Sequence, residues 1–214
     1  MKAYLISGLG ADERVFSRIQ LPPGYQPVHL DWIAPLKDEP LEDYAKRFSK
    51  RIDVNEDFIL IGVSFGGMLA SEIAKIIPPQ KLIIISSVGC YEELPWYFKR
   101  AGKLGLQGIV TPGVYKRATL INRFMGAGDK EMKEIVYDYV RKADPAFIKW
   151  ALNAILNWKH RERNPGLVHI QGSNDHLLPC KYVKADYIIS QGGHMMVFNR
   201  AGEINEILKK VLAA

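Results

Sequence analysis

Short runs of apolar residues separated by segments of helical periodicity most strongly constrain how this chain can fold. The apolar runs lie at residues 3–7, 27–30, 58–63, 81–86, 167–170 and 187–189. Helical periodicity is found at residues 12–19, 41–52, 66–77, 129–141, 145–158 and 201–212. This alternation is typical of βα units, whose strands pair in parallel and are buried on both faces. The sequence therefore predicts an α/β protein with a mostly parallel central sheet of about six strands and helices on both faces.

The alternation is interrupted once, between residues 91 and 165, where only helical patterns occur. We find no internal repeat and no low-complexity linker, so residues 1–90 and 166–214 are predicted to form one core into which residues 91–165 are inserted. The inserted segment holds 14 Lys or Arg against 8 Asp or Glu, a balance of +6, and the rest of the chain holds 15 of each. All of the net positive charge therefore belongs to the insertion.

Composition places the chain among ordinary globular proteins. It has 214 residues, 48% of them hydrophobic and 24% charged, which excludes disordered and collagen-like classes. Cys90 and Cys180 are too few for a disulfide framework, so reduced thiols are expected. No apolar stretch reaches the length of a membrane span, and the apolar run at the N-terminus is too short for a signal peptide. The sequence predicts a soluble, cytoplasmic protein.

The motif Gly62-Val63-Ser64-Phe65-Gly66 carries the strongest chemical signal. A G-x-S-x-G string alone is weak, but this one joins the predicted strand 58–63 to the predicted helix 66–77. Glycines on both sides permit a sharp turn that projects the serine hydroxyl above the sheet. The sequence predicts Ser64 as a nucleophile, against the alternative of an ordinary glycine-rich turn.

A serine nucleophile needs a base, and five histidines are candidates. His194 follows two glycines in the loop between the last predicted strand and the last helix, which allows its imidazole to reach the serine. The strand positions of His29 and His169 indicate core or sheet-face residues. His160 lies in a charged stretch and is expected on the surface, and His176 is a weaker candidate beside the predicted acid.

The base in turn needs a carboxylate to fix its tautomer. Asp175 follows the predicted strand 167–170, so it lies at the carboxyl end of the sheet, where sites in such folds gather. Glu92 and Glu93, which follow the preceding strand, are the competing acids. An oxyanion needs two fixed donors, and the backbone N–H groups of Phe65 and Leu9 are predicted to supply them.

Together these residues resemble the α/β-hydrolase family over nearly the whole chain, in particular its cap-bearing serine esterases and thioesterases. The elbow around Ser64, the Gly-x-x-Asp-x-x-x-Pro segment from Gly172 to Pro179 and the Gly-Gly-His loop match in order and placement. Ser7 stands where many members carry histidine. The chain begins at what would be the third strand, which implies six strands, and the helix usual after the acid is expected to be reduced to a turn within residues 179–185.

The resemblance implies that residues 91–165 form a helical cap and that an ester or thioester is cleaved through an acyl-Ser64 intermediate. No cofactor and no metal are expected. A lyase or carbon–carbon bond hydrolase using the same three residues, and a non-catalytic ligand-binding protein, are the alternatives. Nucleic-acid binding is not expected, because the basic residues are mixed with acidic ones.

The cap is rich in aromatic residues, which suits an apolar substrate, although most of them are expected only to hold the cap to the core. These are Trp96, Tyr97, Phe98, Tyr115, Phe124, Phe147, Trp150 and Trp158. Its cations either solvate exposed helices or receive an acidic acyl carrier. The candidates are Lys99, Arg100, Lys103, Lys116, Arg117 and Arg123.

Overall fold

The computed structural model describes residues 1–103 and 130–213. Within them, six strands form one sheet with the order β2-β1-β3-β4-β5-β6, and every neighbouring pair is parallel. The prediction of a six-stranded parallel sheet is confirmed. The strands are β1 (Lys2–Ile6), β2 (Gln26–His29), β3 (Phe58–Val63), β4 (Lys81–Ile85), β5 (Leu167–Gly172) and β6 (Tyr187–Ile189).

The central strands bury both faces because their apolar side chains point alternately to either side of the sheet. Tyr4, Leu60 and Ile84 face one hydrophobic cluster. Leu5 and Ile61 face the other. This double burial explains why β3 and β4 read as continuous apolar runs.

Helices cover both faces. In the described residues they are α1 (Leu41–Ser49), α2 (Phe65–Ile76), α3 (Trp96–Lys103), α4 (Lys130–Lys142), α5 (Pro145–Leu156), α6 (Met196–Asn199) and α7 (Ala201–Leu212). α2 is buried from its first residue to Ala74, because it lies under α1 and against β3 and β4. None of the helices in residues 1–103 and 130–213 is long and apolar enough to cross a membrane.

Several predicted elements are shorter than expected, including the helices predicted at residues 41–52 and 145–158, which end at Ser49 and Leu156. The helix predicted at residues 12–19 is a single 3-10 turn, Glu13–Phe16, capped by the Asp12 side chain. Strand β4 ends at Ile85 because Ser86 adopts a φ of 48°, which is incompatible with an extended strand. Between the predicted acid and base there is a 3-10 turn, Cys180–Tyr182, as expected.

The segment 91–165 is helical at α3, α4 and α5, and its residues 104–129 lie outside the described residues. Met132 and Val136 of α4 pack in one hydrophobic cluster, and Phe147 and Trp150 of α5 pack in the other. The two ends of the segment meet, because the backbone N–H of Tyr91 donates to the carbonyl oxygen of His160 at 2.7 Å. That residues 91–165 act as a cap stays a prediction.

Candidate active site

Ser64 occupies the sharp turn between β3 and α2. Its backbone has a φ of 53° and a ψ of −121°, a conformation that residues with side chains rarely adopt. A Cβ atom on Gly62 would overlap the backbone of Gly66, and a Cβ atom on Gly66 would overlap the carbonyl oxygens of Ile6 and Ser7. Only glycine fits on either side of the serine, which is the physical reason for the motif's spacing.

Three side chains form one hydrogen-bonded line at the carboxyl end of the sheet. Ser64 Oγ lies 2.9 Å from His194 Nε2, and His194 Nδ1 lies 2.8 Å from Asp175 Oδ2. His194 and Asp175 are buried, whereas Ser64 is partly exposed. The structure thus brings together the three residues that the sequence predicted as nucleophile, base and acid.

The carboxylate of Asp175 is surrounded by hydrogen-bond donors. Its Oδ1 accepts the backbone N–H groups of Leu177 and Leu178 at 2.9 and 2.8 Å, and its Oδ2 accepts Gln171 Nε2 at 3.0 Å. Burial raises the pKa of Asp175, but the charge and hydrogen bond of His194 and the two backbone donors outweigh it, so the pKa is lowered. The group is held as the carboxylate that a protonated imidazole requires.

Gln171 is a functional candidate that the sequence interpretation missed. It is fully buried, and its amide nitrogen also donates to the carbonyl oxygen of Leu178 at 2.6 Å. Its Oε1 lies 3.2 Å from His169 Nε2, which must therefore donate. Burial lowers the pKa of His169, which favours the neutral ring, and the Nε2 contact holds the amide in this orientation. The available signal was a polar residue inside a buried strand, four positions before Asp175.

The loop after β1 lies directly beside the nucleophile. A Cβ atom on Gly8 would lie 3.4 Å from the Cβ atom of Ser64. The loop forms a turn in which the Ala11 N–H donates to the Gly8 carbonyl oxygen at 3.1 Å, with Gly10 at a φ of 70°. Ser7, which stands where the family often has histidine, donates its hydroxyl to the Ala11 carbonyl oxygen at 2.7 Å. It therefore closes the turn.

The two predicted oxyanion donors belong to residues that border the same cavity as Ser64 and His194. Leu9 and Phe65 both line it. The N–H of Phe65 is the first of α2, so it has no partner within the helix. Leu9, Phe65 and Ser64 therefore border one cavity.

The cavity has a volume of about 450 Å³ and is lined mainly by apolar side chains. Leu9, Phe65 and Met68 come from the core of the fold. The segment 91–165 contributes Leu94, Phe98, Val136, Tyr139, Val140, Leu152 and Ile155. No Lys, Arg, Asp or Glu is among the described residues that line it. Such a cavity suits a neutral, apolar group.

The competing acids are engaged elsewhere. Glu93 is buried and accepts the Gly89 N–H at 2.7 Å and Arg163 Nη1 at 3.0 Å. Glu92 pairs with Arg161 at 3.0 Å. Neither forms a hydrogen bond with His194.

The expected surface position of His160 is wrong. Its ring is buried, stacks on Trp158 with centroids 5.2 Å apart, and places Nδ1 3.3 Å from Glu72 Oε1. Glu72 also accepts the indole N–H of Trp158 at 2.7 Å. His169 is buried as expected, whereas His29 is exposed on the edge strand β2.

The predicted cations are only partly described. Lys99 donates to the carbonyl oxygen of Glu92 at 2.7 Å, and Arg100 lies over the ring of Trp96. Lys103 closes α3. Lys116, Arg117 and Arg123 lie outside the described residues, as do Tyr115 and Phe124.

Cys90 and Cys180 are both free. No group of three or more His, Cys, Asp or Glu in residues 1–103 and 130–213 is arranged to hold a metal ion.

Comparison with known proteins identifies the family of this chain. A model of the alpha/beta hydrolase family matches residues 3–207. The chain therefore belongs to this family, and the fold predicted from the sequence is confirmed. Among curated proteins, no sequence matches it.

Solved structures show the same fold at low sequence identity. A hydrolase from Oleispira antarctica is 14% identical, with a TM-score of 0.72 over 98% of this chain and 89% of that one. A thermophilic esterase from Thermogutta terrifontis is 15% identical, with a TM-score of 0.69 over 99% and 90%. A bromoperoxidase from Bacillus anthracis is 16% identical, with a TM-score of 0.70 over 100% and 92%. Because their chemistries differ, the likeness establishes the fold alone.

Proposed function

We propose that this protein is a serine hydrolase that cleaves a carboxylic ester or thioester through an acyl-Ser64 intermediate. The observation that carries the proposal is the hydrogen-bonded line from Ser64 through His194 to Asp175, which opens onto an apolar cavity. A serine at the elbow of this fold with a base at 2.9 Å has the arrangement that nucleophilic acyl transfer requires.

Each residue has one part in the proposed reaction. His194 Nε2 takes the proton of Ser64 as Oγ attacks the carbonyl carbon, and Asp175 stabilises the imidazolium that forms. The N–H groups of Leu9 and Phe65 donate to the oxyanion. His194 then gives its proton to the leaving alcohol or thiol. In the second step His194 takes a proton from water as the water attacks the acyl-Ser64 ester, and it returns that proton to Ser64 Oγ as the carboxylic acid leaves.

The substrate is proposed to carry an apolar acyl group, because the cavity beside Ser64 has an apolar lining. Residues of α4 and α5 contribute to its wall, which supports the proposal that segment 91–165 covers the site. The basic residues of this segment remain candidates for binding an acidic acyl carrier, and half of the six predicted cations are outside the described residues.

Covalent labelling tests the nucleophile. A fluorophosphonate probe should label the wild-type protein stoichiometrically at Ser64, identified by mass spectrometry of the labelled peptide, and Ser64→Ala should not react. Ser71→Ala, on the same helix but away from the cavity, is the matched control and should react at the wild-type rate. Labelling of Ser64→Ala at the wild-type level would remove the assignment.

A series of acyl esters and thioesters tests the substrate class. Each methylene that enters the cavity should raise kcat/KM about fourfold, since burying one contributes about 0.8 kcal/mol. The rise should continue from acetyl to medium-chain substrates and stop when the cavity is filled. Labelling of Ser64 without turnover of any member of the series would favour the lyase or carbon–carbon hydrolase alternative.

A further inference from the structure

Trp32, in the loop after β2, contacts both parts of the proposed oxyanion site. Its indole N–H points at two acceptors on the loop after β1, Ser7 Oγ at 3.1 Å and the Gly8 carbonyl oxygen at 3.2 Å. Its ring stacks on Phe65, with centroids 5.3 Å apart and an angle of 16° between the planes. One side chain thus bridges the loop that carries Leu9 and the first residue of α2.

The hydrogen bond to Gly8 fixes the direction of the Leu9 N–H. The Gly8 carbonyl and the Leu9 N–H belong to one peptide group, which is planar and trans, so the two bonds point in opposite directions. Because the carbonyl oxygen is bound by Trp32 and by the Ala11 N–H, the Leu9 N–H is directed away from both donors. Rotation of this peptide would break both hydrogen bonds.

Ser7 completes the contact. Its hydroxyl proton is donated to the Ala11 carbonyl oxygen, so a lone pair of Oγ is left to accept the indole N–H of Trp32. Ser7 and Trp32 therefore match each other, and together they hold the turn from Gly8 to Ala11.

We propose that Trp32 is a positioning residue for the oxyanion site, holding the Gly8–Leu9 peptide and the ring of Phe65 in the orientation that aims both backbone N–H groups at the reacting carbonyl oxygen. This inference rests on the proposed hydrolase function. Trp32 does not border the cavity among the described lining residues, so it acts through the backbone and not by touching the substrate.

The experiment compares Trp32 with Trp150, because both rings contact Phe65. Trp150 also contacts Phe65, but its indole N–H donates to the Glu39 carbonyl oxygen at 2.7 Å, away from the loop after β1. Trp32→Phe and Trp150→Phe each remove one indole N–H and keep an aromatic ring. For both variants we would measure the kcat and KM of ester hydrolysis, its pH profile and Tm. We would also measure the inhibition constant of an alkyl trifluoromethyl ketone, which forms a tetrahedral adduct with the serine.

In Trp32→Phe, kcat should fall about 10-fold with KM nearly unchanged, and the ketone should bind about 10-fold more weakly, because the oxyanion exists only in the tetrahedral state. The pH profile should not move, since His194 and Asp175 are untouched. Trp150→Phe should lower Tm at least as much and change kcat less than about twofold. If Trp32→Phe does not fold, Trp32 is replaced by 3-benzothienylalanine, which keeps the ring shape and lacks the N–H. This variant should show the same loss of kcat.

Equal losses of activity in the two phenylalanine variants, or wild-type kcat in Trp32→Phe, would overturn the role of Trp32. These outcomes are separable from failure of the proposed function. If the wild-type protein reacts with neither the fluorophosphonate nor the ketone, the hydrolase proposal fails, and the role of Trp32 falls with it.

Discussion

On the acid side of the site, the carboxylate of Asp175 is surrounded by hydrogen-bond donors, whereas on the side of the proposed oxyanion donors the loop at Gly8 is bound by Trp32, whose ring is held by aromatic packing. Asp175 receives bonds from Gln171 and two backbone N–H groups in addition to His194. Trp32, behind Gly8, packs against the rings of Phe48, Phe65 and Phe147. The two halves of one site are thus stabilised by different interactions.

The difference follows from what each half must hold. A buried carboxylate loses its hydration, and only hydrogen bonds and an opposite charge offset that cost. A backbone N–H is neutral and needs only a fixed direction, which the hydrogen bond from a closely packed tryptophan provides. Polar substitutions should therefore affect the acid side through charge and pH, and the oxyanion side through geometry alone.

The largest expected effect comes from removing the charge on the acid side. Asp175→Asn should lower kcat about 10⁴-fold, because the imidazolium of His194 loses its counter-charge and the imidazole its correct tautomer. Glu93→Gln is the matched control, a buried carboxylate bound to Gly89 and Arg163, and its kcat should stay within about twofold of wild type. A comparable loss in both variants would mean that Asp175 contributes only to folding.

Glu72 tests whether donors stabilise a buried carboxylate away from the site. Burial raises the pKa of Glu72, but His160, Lys75 and Trp158 lower it by more than burial raises it, to about 2. Because the pKa is depressed in the folded state, this stability is present above the ordinary value of 4.5 and is lost as the pH falls toward 2. In Glu72→Gln, the free energy of unfolding at pH 7 should fall by about 2 kcal/mol, and its decline between about pH 5 and 2 should flatten. Urea unfolding at several pH values measures both, and an unchanged slope would contradict the account.

Gln171 tests the donors around Asp175 directly. Gln171→Met keeps the volume and removes the amide, so kcat should fall about 10-fold. The fall of kcat/KM at low pH should begin at a higher pH, because the Asp175 carboxylate, with fewer donors, pairs more strongly with a protonated His194.

Asn205→Met is the matched control for Gln171. It removes a buried amide of α7 that bridges Gln20 and Arg18, so it should lower Tm without moving the pH profile. A profile identical to wild type in Gln171→Met would show that the amide serves folding alone.

The sheet and the elbow could be predicted from the sequence because their signals are local. The apolar run of β3 and the glycines around Ser64 lie within nine consecutive residues, and the loops bearing Asp175 and His194 follow from strand order. The burial of His160 could not be predicted, since its neighbours in sequence are charged and its partner Glu72 is 88 positions away. Trp32 was missed because its partners Gly8 and Phe65 are 24 and 33 positions away in the sequence. The partners of Gln171 are close in sequence, but its contact with Asp175 depends on how the chain turns after β5.

The smallest expected effect is the coupling between the two sides. Trp32 and Gln171 share none of the hydrogen-bond partners described above, so Trp32→Phe and Gln171→Met should act independently. The fold reduction of kcat in the double variant should equal the product of the two single reductions, within about 0.5 kcal/mol. Gln171→Met combined with Asp175→Asn is the contrasting pair. There the effects should not multiply, because Gln171 acts through a carboxylate that is already gone. Strong coupling between Trp32 and Gln171, measured as a double-mutant cycle on kcat, would show that the two halves of the site form a single network and that the comparison drawn between them does not hold.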